Sequence, residues 1–288
     1  MAALVITNAN NKGGVGKTTI TVNLADALAR EGFSVCVIDL DPQSNCSQHL
    51  SKTLIDPDRS IVNVLQAADD DLPLDFDSFL TETIIDNVKL LPSTLKLDGL
   101  ESDIHNAYVN PLLVLKRRIE PLLDQFDIIL IDTAPSLGLW LRMALTVSSK
   151  VIIPADTSGQ YTMQGTKDLQ KFIKQVQRDV NPELETLGAV ATKVTATNAS
   201  QAVMGLLSIQ FNMFETVIHS ATVITESQLA KMTVLQHART SRCAKEFVNL
   251  AREVLSRCGL QPKRKNKPGP KSKTTVSTLA TQELEAAS

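Results

Sequence analysis

Aromatic side chains are scarce in this 288-residue chain, at 4% with one Trp and two Tyr, so stacking on the bases of a single strand has few donors. Cysteine is equally sparse. Cys36, Cys46, Cys243 and Cys258 are widely spaced and form no CxxC pair, which excludes a disulfide framework and a zinc site of ordinary spacing. The four histidines are scattered and suggest no shared role. No apolar run approaches the roughly 18 to 20 residues that cross a bilayer. The opening MAALVITNANNKGG lacks a basic n-region and reads as a strand entering a loop rather than a secretory signal. Neither sign of charge dominates, with 29 Lys and Arg against 31 Asp and Glu. At 43% hydrophobic residues the chain has ample material for a core, and a cytoplasmic soluble protein is the expectation.

The near-neutral total conceals a split. After Gln261 come Lys263, Arg264, Lys265, Lys267, Lys271 and Lys273 against Glu283 and Glu285, a balance of +4 that leaves the preceding chain near −6. Pro262, Pro268, Gly269 and Pro270 oppose a helix there. The sequence therefore predicts one globular domain over 1–260 and a basic, flexible tail over 261–288.

Within the globular part, short β-branched apolar runs alternate with helical patterns. Leu4 to Ile6, Val35 to Ile38, Ile128 to Ile131, Val151 to Ile153 and Leu187 to Val190 each have strand length. Continuous rather than alternating apolarity predicts strands buried on both faces, as in a parallel sheet covered by helices. From Thr18 to Arg30, Ile20, Leu24, Ala27 and Leu28 fall at helical spacing and Gly32 supplies a stop. Strand, helix and strand within about 35 residues make a βαβ unit. Leu112 to Leu123 is predicted as a further helix, and Asp69-Asp70-Asp71 with Pro73 as a surface loop. The fold class is α/β: a three-layer sandwich around a mostly parallel, doubly wound sheet, with a phosphate loop (P-loop) after its first strand.

That loop is Asn11-Lys12-Gly13-Gly14-Val15-Gly16-Lys17-Thr18-Thr19. The common pattern GxxxxGK[ST] would place Gly where Asn11 stands, so the strict form fails by one residue. The chemistry survives. Small residues let consecutive N–H groups face a phosphate at a helix N-terminus, whose dipole favours an anion. Lys17 can reach the β- and γ-phosphates, and the Thr18 hydroxyl can bind Mg²⁺. The bland alternative, a Gly-rich turn with an incidental lysine, does not explain why the motif lies between a strand and a helix. Lys12 has two readings, a solvated surface charge or a lysine that serves a nucleotide across a dimer interface.

Two carboxylate segments complete the set. Ile38-Asp39-Leu40-Asp41-Pro42-Gln43 ends one predicted strand and Asp127-Ile128-Ile129-Leu130-Ile131-Asp132-Thr133 forms another. Ligands of such sheets bind at the carboxyl ends of the strands. Asp132 has the position of a carboxylate that holds Mg²⁺ through water, and Asp41 can orient an attacking water or contact Mg²⁺. The alternative for each is a loop aspartate capping a helix.

Together, Lys12-Gly-Gly-Val-Gly-Lys17-Thr18-Thr19, Asp39-Leu-Asp41-Pro-Gln43 and Asp127-Ile-Ile-Leu-Ile-Asp132-Thr-Ala-Pro-Ser136 resemble the deviant phosphate-loop (deviant Walker A) ATPases, and most closely the ParA partition proteins. The resemblance continues through Leu91-Pro92-Ser93, Ile153-Pro154, Gly165 and Gly188 to a helix near Ala244–Leu255, covering most of 1–258. It implies ATP and Mg²⁺ as cofactors and a homodimer in the ATP state, with Lys12 contacting the nucleotide of the partner. It implies non-specific binding of double-stranded DNA, a centromere-binding adaptor that stimulates slow hydrolysis, and association with the nucleoid. Carried over, Lys12, Lys17 and Asp41 are catalytic, residues Lys12 to Thr19 bind nucleotide, and Thr18, Asp41 and Asp132 serve the metal. Two departures matter. The operator-reading module of longer relatives is not expected ahead of a first strand near Ala3, and Thr192-Lys193-Val194-Thr195-Ala196-Thr197-Asn198 stands where relatives often carry an arginine-containing loop.

Candidate DNA contacts come from charge. Arg239, Arg242, Lys245 and Arg252 lie on or near the polar side of a helix whose other face holds Phe247, Ala251, Val254 and Leu255, and the cations of the tail add a second group. Such a face is often merely solvated. Alternative cargoes are a protein assembly or, in the manner of MinD, a membrane surface. For the latter, Val276, Leu279 and Leu284 give the 274–288 segment too little apolar surface, so no membrane partner is expected. The cysteines do not suit an iron–sulfur protein like the nitrogenase iron protein, and two tyrosines do not suit a tyrosine kinase of the same superfamily.

Overall fold

A computed structural model describes residues 2–158 and 162–263. The predicted tail beyond Lys263, with Arg264, Lys265, Lys267, Lys271 and Lys273 and the 274–288 segment, lies outside the described residues. Among those described, the strands β1 (Leu4–Asn8), β2 (Val35–Leu40), β3 (Thr81–Glu82), β4 (Val88–Leu91), β5 (Ile128–Thr133), β6 (Lys150–Asp156) and β7 (Glu185–Thr192) form one sheet. Their order is β3-β4-β2-β5-β1-β6-β7, parallel throughout except for β3 against β4. The helices are α1 (Lys17–Arg30), α2 (Asn45–Leu50), α3 (Ile61–Gln66), α4 (Leu97–Ala107), α5 (Val114–Arg118), α6 (Leu122–Gln125) and α7 (Leu139–Val147). They continue with α8 (Thr162–Asp179), α9 (Asn198–Gln210), α10 (Thr222–Leu229), α11 (Val234–His237) and α12 (Arg242–Arg257).

The pleat sends neighbouring strand residues to opposite faces. Ile6, Val35, Val37, Ile128 and Leu130 face α1 and α12, while Val5, Cys36, Ile38, Ile129 and Ile131 face α3, α4, α5 and α7. This two-sided burial gives the continuous apolar runs their physical cause and produces the expected three layers. On α12, Phe247, Leu250, Val254 and Leu255 are fully buried, each contributing about 1.5–3 kcal/mol. The same helix is capped at its start by Ser241, whose hydroxyl accepts the Ala244 N–H at 3.2 Å.

The single helix expected over Leu112–Leu123 is a correction. A 3₁₀ turn at Pro111–Leu113 leads into α5, the chain breaks at Ile119 to Pro121, and α6 starts at Leu122. Pro121 has no N–H to give a continuing helix, although the apolar spacing runs through it. The Asp69–Asp71 segment is exposed, as the surface loop required, and takes one 3₁₀ turn. There Asp69 pairs at 2.8 Å with the buried Arg118.

Gly188 in β7 has φ +148°, and a Cβ there would stand 2.2 Å from the Asn212 carbonyl oxygen and 2.7 Å from an Arg257 guanidinium nitrogen. Gly188→Ala should therefore cost about 3 kcal/mol, the upper end of what overpacking does. A urea melt checks this, and an unchanged midpoint would contradict the packing described.

Candidate nucleotide site

The phosphate loop joins β1 to α1, and its shape follows from its glycines. Gly14 at φ +72° and Gly16 at φ +92° adopt left-handed backbone that side chains disfavour. Asn10 pins the entry: its amide donates to the Pro154 carbonyl at 2.7 Å, and its side-chain oxygen accepts the Lys12 N–H at 2.9 Å. From the far side, the Thr192 hydroxyl donates to the Val15 carbonyl at 2.8 Å. The departure at Asn11 also finds an explanation. A Cβ on Gly165 would come within 2.9 Å of Asn11 Oδ1, so the missing side chain at Gly165 makes room for the asparagine.

Lys17 opens α1 and is buried, its ammonium donating to the Lys12 carbonyl at 3.3 Å. Burial lowers its pKa, while Asp132 and then Asp41 draw it back up. Thr18 donates to Asp132 Oδ2 at 2.7 Å and Thr21 to Asp132 Oδ1 at 2.9 Å, so α1 itself orients the carboxylate of β5. Thr21 is held in turn by the Asn8 amide at 2.9 Å.

The two aspartates at the end of β2 have different tasks. Asp39 is fully buried, and one of its oxygens accepts the Asp41 N–H at 3.0 Å. Its other oxygen accepts the Ser47 N–H and hydroxyl at 2.9 and 2.7 Å. Asp39 thus fixes the turn that carries Asp41 and the start of α2. Asp41 accepts the Gln43 N–H at 2.9 Å and lines the open space above the loop. Only the second aspartate is placed to meet a ligand.

Asp39 and Asp132 are paired in register on adjacent strands. Burial, then the Asp132 charge, pushes Asp39 up to about 7 against the bonds from Ser47 and Asp41. Burial raises Asp132 to about 6 despite Thr18, Thr21 and Lys17. Two buried acids beside one buried lysine leave negative charge that a divalent cation would neutralise. The hydroxyl of Thr18 and the carboxylates of Asp132 and Asp41 are hard oxygen donors of the kind Mg²⁺ takes. Among the described residues no cluster of three or more His, Cys, Asp or Glu could hold a metal alone.

Above the loop lies a cavity of about 690 Å³. Its floor is Gly13, Gly14 and Gly16 to Thr19, one wall is Asp41, Gln43 and α2, and the other is α10. Gln228 of α10 donates to the Thr19 hydroxyl at 3.1 Å, tying that wall to the floor, and His49 of α2 meets the carbonyl of Met232, just beyond α10, at 2.9 Å. Lys12, Lys17, Thr18, Thr19, Asp41 and Asp132 are thus gathered at the carboxyl end of the sheet. Sequence reasoning missed Asp39 as the holder of Asp41, the α10 wall, and Lys193 with Asp156. The last two stand at the carboxyl ends of β7 and β6, a position that signals ligand contact in such sheets.

The DNA candidates fare unevenly. Arg242 pairs with Glu246 at 2.8 Å and Arg252 with Glu31 at 2.9 Å, whereas Arg239 and Lys245 are exposed and form no ion pair among the described residues. Lys263 pairs with Asp127 at 2.6 Å, and its N–H donates to the Glu31 carbonyl at 3.0 Å. Lys263, within the predicted tail, is therefore seated on the domain. Among the described residues no helix is long and apolar enough to cross a membrane.

Residues 3–186 match a family described as an AAA domain. The sporulation initiation inhibitor protein Soj of Bacillus subtilis is 32% identical over 253 residues, spanning 87% of this chain and 97% of that protein. The chromosome-partitioning ATPase Soj of Thermus thermophilus is 34% identical over 253 residues, 86% of this chain and 94% of that one. Among solved structures, a cobyrinic acid a,c-diamide synthase from Mycobacterium smegmatis with ADP and magnesium superposes with a TM-score of 0.74 at 26% identity. The match covers 92% of this chain and 100% of that one.

Proposed function

From the premise that the chain belongs to the ParA family of partition ATPases, we propose that it dimerises on ATP and Mg²⁺, binds double-stranded DNA without sequence preference as that dimer, and lets go after hydrolysis. ATPase activity itself follows from the family. The observation that carries the reading is Lys17 and the Thr18–Asp132 contact at the floor of a cavity that Asp41 lines.

The residues divide the work. The N–H groups of Gly13 to Thr18 cradle the phosphates, and Lys17 sets its charge against the β- and γ-oxygens. Thr18 and Asp132 would hold Mg²⁺, which would supply positive charge against the triphosphate. Asp41 holds the attacking water in line. Lys12, half-buried at the loop's edge, is proposed to cross to the nucleotide of the partner subunit, so a lone subunit has only part of its cationic shell. ATP then favours the paired form by its greater affinity for it. Slow hydrolysis, accelerated by a centromere-binding adaptor in the cytoplasm and on the nucleoid, would reset the cycle and move plasmid or chromosomal DNA. On the described surface Arg239 and Lys245 are the better DNA candidates, since the charges of Arg242 and Arg252 are already compensated.

The test is size-exclusion chromatography with light scattering, with ATP and Mg²⁺ or with ADP. Wild type should become a dimer with ATP alone, and Lys12→Ala should stay monomeric while still binding nucleotide. A Lys12→Ala protein that dimerises and hydrolyses ATP normally would refute the shared site. Binding of the wild-type dimer to a random duplex should weaken steeply between about 50 and 200 mM salt, by about 10³-fold for six phosphate contacts.

A further inference from the structure

Two lysines reach the phosphate cavity from outside the loop, Lys193 and Lys231, and Lys193 is the one that stands against the loop's glycines. The end of β7 already buttresses the loop, through the Thr192 bond to Val15 and through Thr192 Cγ2, 3.7 Å from where a Cβ on Gly16 would stand. The next residue is Lys193, with φ +53°, a left-handed conformation that a non-glycine residue rarely adopts. This bend carries its ammonium to 3.9 Å from the place of a Gly14 Cβ, in the cavity that Lys17 and Thr18 also line.

The ammonium is loosely held there. Its Nζ lies 3.5 Å from Asp156 Oδ2, with the Lys193 side chain 48% exposed and that of Asp156 only 7%. Asp156, the last residue of β6, is fixed from the other side by the Ser158 N–H at 2.7 Å and the Ser158 hydroxyl at 2.6 Å. Burial pushes this carboxyl up, but the Ser158 bonds, then Lys193 and Lys12, bring it below the usual carboxylate range. One fixed carboxylate thus feels two lysines at the rim of the phosphate loop, and Lys193 is the one paired with it.

We propose that Lys193 is a same-chain phosphate-binding residue of the triphosphate site, held by Asp156 in the empty protein and drawn onto the terminal phosphate when ATP enters. The inference rests on the ATP reading above and adds a residue and a holding carboxylate to it. A triphosphate carries more charge at the rim than a diphosphate, so it competes better with Asp156 for the ammonium. The pair would thereby favour ATP over ADP before any second subunit arrives. Lys193 is the phosphate-binding residue and Asp156 a positioning residue, which acts by where it keeps the lysine.

Calorimetric titration of the full chain with a non-hydrolysable ATP analogue and with ADP, both with Mg²⁺ and at monomeric concentration, tests this. Lys193→Ala should weaken the analogue about tenfold and ADP no more than about twofold, as the loss of one charge-assisted contact would. Lys193→Arg should restore most of the difference. Asp156→Asn keeps an oxygen for Ser158 but removes the charge; it should tighten the analogue several-fold, and should do nothing when Lys193 is alanine. Unchanged analogue affinity in Lys193→Ala, or equal losses for both nucleotides together with a lower melting temperature, would overturn the proposal while leaving the ATP reading intact. A wild-type chain that bound neither nucleotide would overturn both.

Discussion

Lys17→Ala should abolish useful nucleotide binding, with affinity for ATP falling roughly a hundredfold or more, the scale of a buried cation lost from a phosphate. The ammonium has no substitute at its position. It is buried at the first turn of α1, between the Lys12 carbonyl and the carboxylates of Asp132 and Asp41. Its removal also takes a positive charge from beside Asp132, so the ligand-free protein should lose some stability as well. The two effects separate in a thermal melt. The apo variant should melt below wild type, and ATP with Mg²⁺ should no longer raise its midpoint. A variant that still gained several degrees from ATP would show that the phosphates are held elsewhere. Because dimerisation is proposed to follow binding, the same variant should remain monomeric with any nucleotide, unlike Lys12→Ala, which fails only at pairing.

Local features of the chain explain what could be read from it. The strands are legible because both faces of a central parallel strand are covered, which writes a continuous apolar run into Val35–Ile38 and Ile128–Ile131. The phosphate loop is legible because its glycines, lysine and threonine stand within a few residues of one another and their spacing is the geometry. What escaped depends on neighbours that spacing does not encode. Asp39 and Asp41 are two residues apart and chemically identical, yet Ser47 claims one and the cavity receives the other. Lys193 and Asp156 meet only because β6 and β7 lie side by side with Asp156 opposite Thr192. The compensation of Arg252 comes from Glu31, at the far end of α1, and no periodicity within α12 could announce it. The helix expected through Pro121 failed for the opposite reason: apolar spacing persisted where the backbone donor was missing.

Asp41→Ala should separate binding from turnover. The carboxylate lines the cavity and its side chain is otherwise engaged with the Gln43 N–H, so its removal takes away neither Lys17 nor the Thr18–Asp132 contact. Affinity for ATP should stay within a few-fold of wild type while hydrolysis falls about 10²–10⁴-fold, the range spanned by loss of a positioned base. The consequence for assembly is opposite to that of Lys17→Ala: with ATP and Mg²⁺ the variant should accumulate as a dimer that persists on a sizing column and on DNA, because the step that dissolves it is gone. A contact to the metal is a second role proposed for Asp41, and the same variant distinguishes the two. If the carboxylate serves the water alone, ATP should bind the variant with the wild-type dependence on Mg²⁺ concentration. If it serves the metal, that dependence should shift to higher Mg²⁺ and excess metal should restore part of the rate. Asp39→Ala should give the same trapped dimer in a less stable protein, since the turn that presents Asp41 hangs on the Asp39 carboxylate. Normal turnover in Asp41→Ala would exclude the residue from both roles and leave the water to be positioned from across the subunit boundary.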